Sequence, residues 1–201
     1  AGYLPPPTSR DFTLAAAPGA AAAAPLPVVA ASQASEKPRF GDFLELPLGL
    51  PGYFDLAQAR RVARQQHKPL FIDFTGHGCV NCRKMEASVW SDPAVLARLR
   101  RDYVVVALYV DDKTELPAAD WYTSPRDQKV KKSLGQQNAD LQLTRYGVNA
   151  QPYYVLLDPD QDNPAPLVPP VAYEPGPARF AQFLAAGTQR YHNTPRALAV
   201  R

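Results

Sequence analysis

The chain has 201 residues, 46% of them hydrophobic and 20% charged, which is enough sequence and apolar content for one domain with a real core plus extra segments. A net charge of +3 with no dense Lys/Arg run excludes a phosphate-binding stripe, and no apolar run approaches the ~20 residues that span a bilayer. Two cysteines are too few for a disulfide-stapled scaffold, so the pair is a local device.

Residues 1–38 hold 12 Ala and 7 Pro, with Arg10, Asp11, Glu36 and Lys37 as the only charges. Prolines at 18, 25 and 27 interrupt any helix that Ala20–Ala24 would start, so this stretch reads as a solvated, semi-extended tether. It lacks the basic face of an amphipathic membrane anchor. No basic stretch of a signal peptide opens the sequence at Ala1, which fits either a mature protein or a piece of a longer one.

From residue 39 the composition becomes that of a folded domain. Phe54–Gln66 reads as a helix with Leu56, Ala59, Val62 and Ala63 on one face. Pro69–Phe74 is a short apolar run, expected to be a buried strand. Ser91-Asp92-Pro93 is a cap followed by proline at the first helical position, opening a helix with Val95, Leu96 and Leu99 inward. Tyr103–Val110 is continuous and β-branched, as in a central strand covered on both faces. Residues 111–127 form a polar insert, in which Trp121 and Tyr122 read as satellite packing or, alternatively, as a border to the cysteine surface.

Val130–Tyr146 reads as a helix weakened by Gly135, and Tyr153–Leu157 as another buried strand. A weak edge strand is expected near Leu167–Tyr173, demoted by Pro169 and Pro170. Pro177 opens a last helix carrying Phe180, Phe183 and Leu184, with Gly187 as its C-cap. Residues 188–201 then read as a flexible basic tail. A right-handed crossover makes the strands at 69–74 and 103–110 parallel, within a mixed sheet that has helices on both faces.

The chemistry concentrates in GHGCVNC, Gly76 to Cys82. Cys79 follows a buried strand and begins a helix, where unpaired N–H groups and the helix dipole favour thiolate. Cys82 lies three residues on, on the same face, and can close a disulfide with Cys79. The spacing alone also fits a static disulfide or half of a zinc site, with His77 as the nearest further ligand. Three features favour redox work. Asp73 is an acid inside the apolar run LFIDF, where burying a carboxylate is costly. Glu86 shares one helical stripe with both cysteines, although a solvated Glu explains that spacing equally well. Gln151-Pro152 directly precedes the strand YYVLL, where the proline is a candidate for the cis isomer.

Together, KPLFIDFTGHGCVNCRKME and the later YGVNAQPYYVLLD resemble the thioredoxin superfamily. More narrowly they are similar to the C-terminal thioredoxin-like domain of DsbD-family transmembrane thiol–disulfide interchange proteins, over about residues 50–187. The resemblance implies a thioredoxin-like α/β fold, a central mixed sheet flanked by helices, here with an insert after the central strand. It implies that Cys79 is the exposed nucleophile, that Cys82 is the buried resolving thiol, and that Asp73 transfers protons with Cys82. It further implies a cis Pro152 facing the pair, and an acid at the position of Glu86. With this comes a periplasmic domain, tethered to a membrane domain and needing no cofactor. Such a domain takes electrons from a membrane-embedded dithiol and passes them to disulfide-bearing periplasmic partners, and it is expected to be monomeric in isolation.

The pattern is not complete. Gly78 stands where thioredoxins commonly carry Trp, Val80-Asn81 replaces Gly-Pro, and the Lys that neighbours the buried acid falls near Ala107. Docking is expected at the exposed backbone of Gln151. The acids Asp73 and Glu86 are expected to hold the Cys79 pKa above what its helix position alone gives. A rival reading is a thioredoxin-like binding module for copper or a cytochrome-maturation client, with His77 and the distant His192 as candidate ligands.

Overall fold

The structure, a computed structural model, describes residues 36–194. The first 35 residues of the tether and residues 195–201 of the tail lie outside the described residues. The sheet comprises β1 (Gly52–Tyr53), β2 (Leu70–Thr75), β3 (Val104–Tyr109) and β6 (Tyr153–Leu157), in the order β1-β3-β2-β6. β2 and β3 are parallel, with Asp73 opposite Ala107, and β6 runs antiparallel to β2, with Tyr154 opposite Asp73. The mixed sheet and the parallel pair are those the sequence predicts. β1 is too short to have a periodicity of its own.

Every residue of β2 and β3 is buried, because both strands are interior and both faces are covered. One face, with Leu70, Ile72 and Phe74, packs on Ala59, Val62 and Ala63 of α1 (Leu56–Gln66). The opposite face carries Phe71, Val105, Ala107 and Tyr154. It is covered by α2 (Val80–Met85) with the π-helical turn Glu86–Trp90, by α3 (Pro93–Asp102) and by α5 (Pro177–Asn193). At its centre the Phe71 ring lies 5.5 Å from Trp90 and 5.4 Å from Tyr154. Asp73 lies between Phe71 and Thr75 in the two-residue alternation of β2, so it points into this second layer, on the side of α2.

Helix starts follow local chemistry. Asp55 caps α1 through Gln58 N at 2.7 Å, which moves the start two residues past Phe54. Asp92 caps α3, with Pro93 in its first turn as expected. α4 (Leu134–Tyr146) begins at a capping box, Ser133 with Gln136, rather than at Val130. Val130–Lys131 is instead β5, paired with β4 (Tyr122–Thr123) in a small hairpin within the insert.

Two expectations are corrected. The strand expected at 167–173 is reduced to one bridge, Tyr154 with Val171, because Pro169 and Pro170 have no N–H to donate. Gly187 does not cap α5, which continues to Asn193, so residues 188–193 are helix rather than tail. The glycine is there for space. A Cβ on Gly187 would lie 2.2 Å from Leu156 Cδ1 and 2.7 Å from the Tyr103 hydroxyl oxygen. At the other end of the described region, Gln58 Nε2 donates to Lys37 O at 2.8 Å and Arg61 pairs with Glu36 at 2.7 Å, so the last residues assigned to the tether lie against α1.

Candidate redox site

The site lies at the carboxyl ends of two parallel neighbours. β2 runs out through Thr75 into the turn Gly76–Gly78, and β3 runs out through Val110 into Asp111-Asp112. Because the strands are parallel and in register, the two loops emerge side by side.

Cys79 is the N-cap of α2, its sulfur accepting from Cys82 N at 3.1 Å. Cys79 and Cys82 form a disulfide with Cα atoms 5.3 Å apart. Cys79 is half-buried, whereas Cys82 is 1% exposed. The asymmetry follows from the helix: the cap residue sits at the rim, and the residue three positions on turns under it toward the sheet.

Asp73 is 2% exposed, and its Oδ1 has no hydrogen-bond partner among the described residues. Burial pushes its pKa well up, the nearby Glu86 charge adds to this, and Arg83 partly offsets it. Glu86 is also raised by burial and held back by Arg83, whose Nη1 lies 2.9 Å from its carboxylate. Arg83 Nη2 reaches Thr75 Oγ1 at 3.2 Å, joining α2 to the end of β2. A solvated Glu86 is therefore ruled out: its side chain is 12% exposed and ion-paired. Ala107, the strand neighbour of Asp73, supplies no cation, and Arg83 is the cation felt by both acids.

Gln151-Pro152 is a cis peptide. Since Tyr153 pairs with Phe74, these two residues lie at the same end of the sheet as the Cys79 turn. Gln151 Nε2 donates to Gln142 Oε1 at 3.0 Å, and Gln142, fully buried, donates to Ala150 O at 2.8 Å. α4 thereby holds this loop. Gln151 lines a cleft of about 500 Å³ together with Cys79, while Pro152 is buried behind it.

Two acids that sequence reasoning passed over complete the rim. Asp111 Oδ1 accepts from His77 N at 2.8 Å and Oδ2 from Gly78 N at 3.0 Å. Gly76 fits because a Cβ there would stand 2.9 Å from Asp111 Oδ2. Partial burial raises the Asp111 carboxyl, but hydrogen bonds from Gly78 and His77 outweigh it and its pKa is lowered. Asp112 is buried at 7% exposure and bonds His77 Nε2 at 2.8 Å and Thr114 N at 2.8 Å. Its pKa is likewise lowered, burial being outweighed by these bonds. The usable signal was position: acids directly after a parallel strand sit at the end of the sheet where sites form.

His77 is thus engaged with Asp112, and its ring lies 4.6 Å from that of Tyr109. His192 is on the last turn of α5, beside Tyr191. Among the described residues no group of three or more His, Cys, Asp or Glu is arranged to hold a metal ion. Trp121 and Tyr122 do not line the Cys79 cleft. Trp121 Nε1 donates to Leu116 O at 2.7 Å under Lys132, and Tyr122 donates to Asp140 at 3.0 Å.

A strand–CxxC–helix with a buried acid below it and a cis-proline loop beside it is the architecture of a thioredoxin-like domain. The family model for that domain matches residues 56–187, and the chain belongs to the family. The solution structure of a thioredoxin from Thermus thermophilus is 22% identical, with a TM-score of 0.49, over 67% of this chain and 84% of its own. The DsbH oxidoreductase is 20% identical, with a TM-score of 0.50, over 73% of this chain and 91% of its own. At 20% identity the likeness to the DsbH oxidoreductase is one of fold. No curated protein matches the sequence.

Proposed function

We propose that the chain is a thiol–disulfide oxidoreductase that reduces disulfides of partner proteins through Cys79 and Cys82. The observation that carries this reading is the asymmetric disulfide, one sulfur at the rim of a cleft and the other buried, next to a strand that buries an unpartnered acid, Asp73. In the reduced state the Cys79 thiolate attacks a partner disulfide. The partner's other sulfur leaves, and a mixed disulfide forms. Cys82 gives up its proton toward Asp73 and attacks the Cys79 sulfur. This releases the reduced partner and restores the Cys79–Cys82 bond. Glu86 and Arg83 set the charge around Asp73 during that transfer. An extended partner segment docks at Gln151, at the start of the edge strand β6.

In its finer form the reading is a DsbD-like relay domain on the periplasmic side of a membrane, refilled with electrons by a membrane-embedded dithiol. That part rests on the sequence resemblance alone. No helix among the described residues is long and apolar enough to cross a membrane. Insulin reduction by the full chain, run beside a copper titration, tests the function. Turnover that is abolished by Cys79→Ser supports it. Stoichiometric copper binding without turnover would replace it with the binding-module reading.

A further inference from the structure

The cleft beside Cys79 has one charged side chain among the described residues that line it, and that charge is negative. Asp111 is also fixed in place: both carboxylate oxygens are held by N–H groups of the turn that delivers Cys79, at 2.8 and 3.0 Å. With these bonds and one from its own backbone N–H, the carboxylate, which lines the cleft, still has accepting capacity left, since it can accept about four. Val80, which also lines the cleft, is 66% exposed and offers apolar contact. His77, the nearest cationic candidate, is turned away to Asp112.

Resting on the reductase reading above, we propose that this cleft selects disulfides carried on extended segments with a Lys or Arg beside the attacked cysteine, and that Asp111 is the selecting residue. As the partner sulfur meets Cys79, a flanking cation comes beside the Asp111 carboxylate, whereas a flanking Glu brings like charges together. At roughly 5 Å, a dielectric close to that of water and low ionic strength, the attraction and the repulsion together amount to about a tenfold preference.

The test uses the pre-reduced full chain in single turnover with three cystine peptides that differ only in a flanking Lys, Gln or Glu. Two electrons pass from the Cys79/Cys82 dithiol to the peptide, whose two sulfurs leave as thiols while the Cys79–Cys82 disulfide forms, so no other reductant is needed. The wild type is expected to reduce the Lys peptide about tenfold faster than the Glu peptide, with the ratio shrinking at high salt. In D111N the ratio should fall to within about twofold. Loosening of the turn would slow all three peptides alike, so the ratio isolates selection from support of the loop. Equal wild-type rates overturn the inference and leave the reductase reading standing. A preference retained in D111N overturns the assignment to Asp111. No reduction of any peptide overturns both readings.

Discussion

Asp73→Asn separates the structural cost of the buried acid from its use. Asp73 is buried without a partner for Oδ1, and burial, with Glu86 adding to it, raises its pKa well above the usual carboxylate value. A carboxyl with a raised folded-state pKa contributes fully below its unfolded pKa, and that contribution is lost as pH rises through the folded one. Above the ordinary Asp range the unfolded chain gains by ionising and the folded one does not. The wild type should therefore lose stability relative to D73N by up to about 1.4 kcal/mol per pH unit until the folded pKa is passed. For a domain of this size that is roughly 3–6 °C of Tm per unit. Calorimetry on the oxidised proteins, where the disulfide keeps thiol titration out of the measurement, should show nearly equal Tm values near pH 4 and a D73N advantage that grows toward neutrality. The same variant, reduced, should release partners from mixed disulfides more slowly, since Cys82 has lost its proton acceptor. A Tm difference independent of pH, or a less stable D73N at neutral pH, would refute the reasoning.

Three further outcomes are expected. In the reduced protein Cys79 should be alkylated much faster than Cys82 in a mass-spectrometric time course, and Cys82→Ser should accumulate mixed disulfides, because only Cys79 reaches the cleft. Trp121→Ala should lower stability by about 2 kcal/mol in urea unfolding while leaving insulin reduction unchanged, since the indole packs under Lys132 away from the cysteines. Gly187→Ala should cost about 1–3 kcal/mol, because its methyl would press on Leu156 and Tyr103, despite the gain in helix propensity.

Much of the fold was legible because its signals are local. The β2 and β3 runs are apolar throughout, as doubly covered strands must be, and Asp92-Pro93 is a helix start written in adjacent residues. Gly187 misled because glycine near a helix end is a local cap signal, whereas its role is set by Leu156 and Tyr103 arriving from elsewhere in the chain. The cysteine pair, Asp73 and the Gln151-Pro152 loop could be picked out because each breaks the pattern of its own segment. Asp111 and Asp112 break none. They look like ordinary loop acids until the chain brings them to His77 and Gly78, 33 to 35 residues earlier. Glu86 was undecidable by spacing, and what decides it is the ion pair with Arg83 beneath a covered face.

The four acids fall into two kinds, and the division follows from the sheet. Asp73 lies along β2 inside the second layer, and Glu86 lies over it on the helical turn that follows α2. Burial raises both above the ordinary carboxylate range, which suits groups that take up and give back a proton. Asp111 and Asp112 lie past the end of β3, where N–H donors and His77 lower both, which makes them fixed charges over the working range. Environments that push like groups apart in pKa separate their roles. On the proposed reading, the inner pair serves the buried sulfur of Cys82 and the outer pair shapes and charges the rim around Cys79. Moving Asp73 one residue along β2 would turn it toward α1 and away from the cysteines. Lengthening β3 by one residue would carry Asp111 off the turn. The register of two parallel strands therefore places both the proton acceptor and the anionic rim.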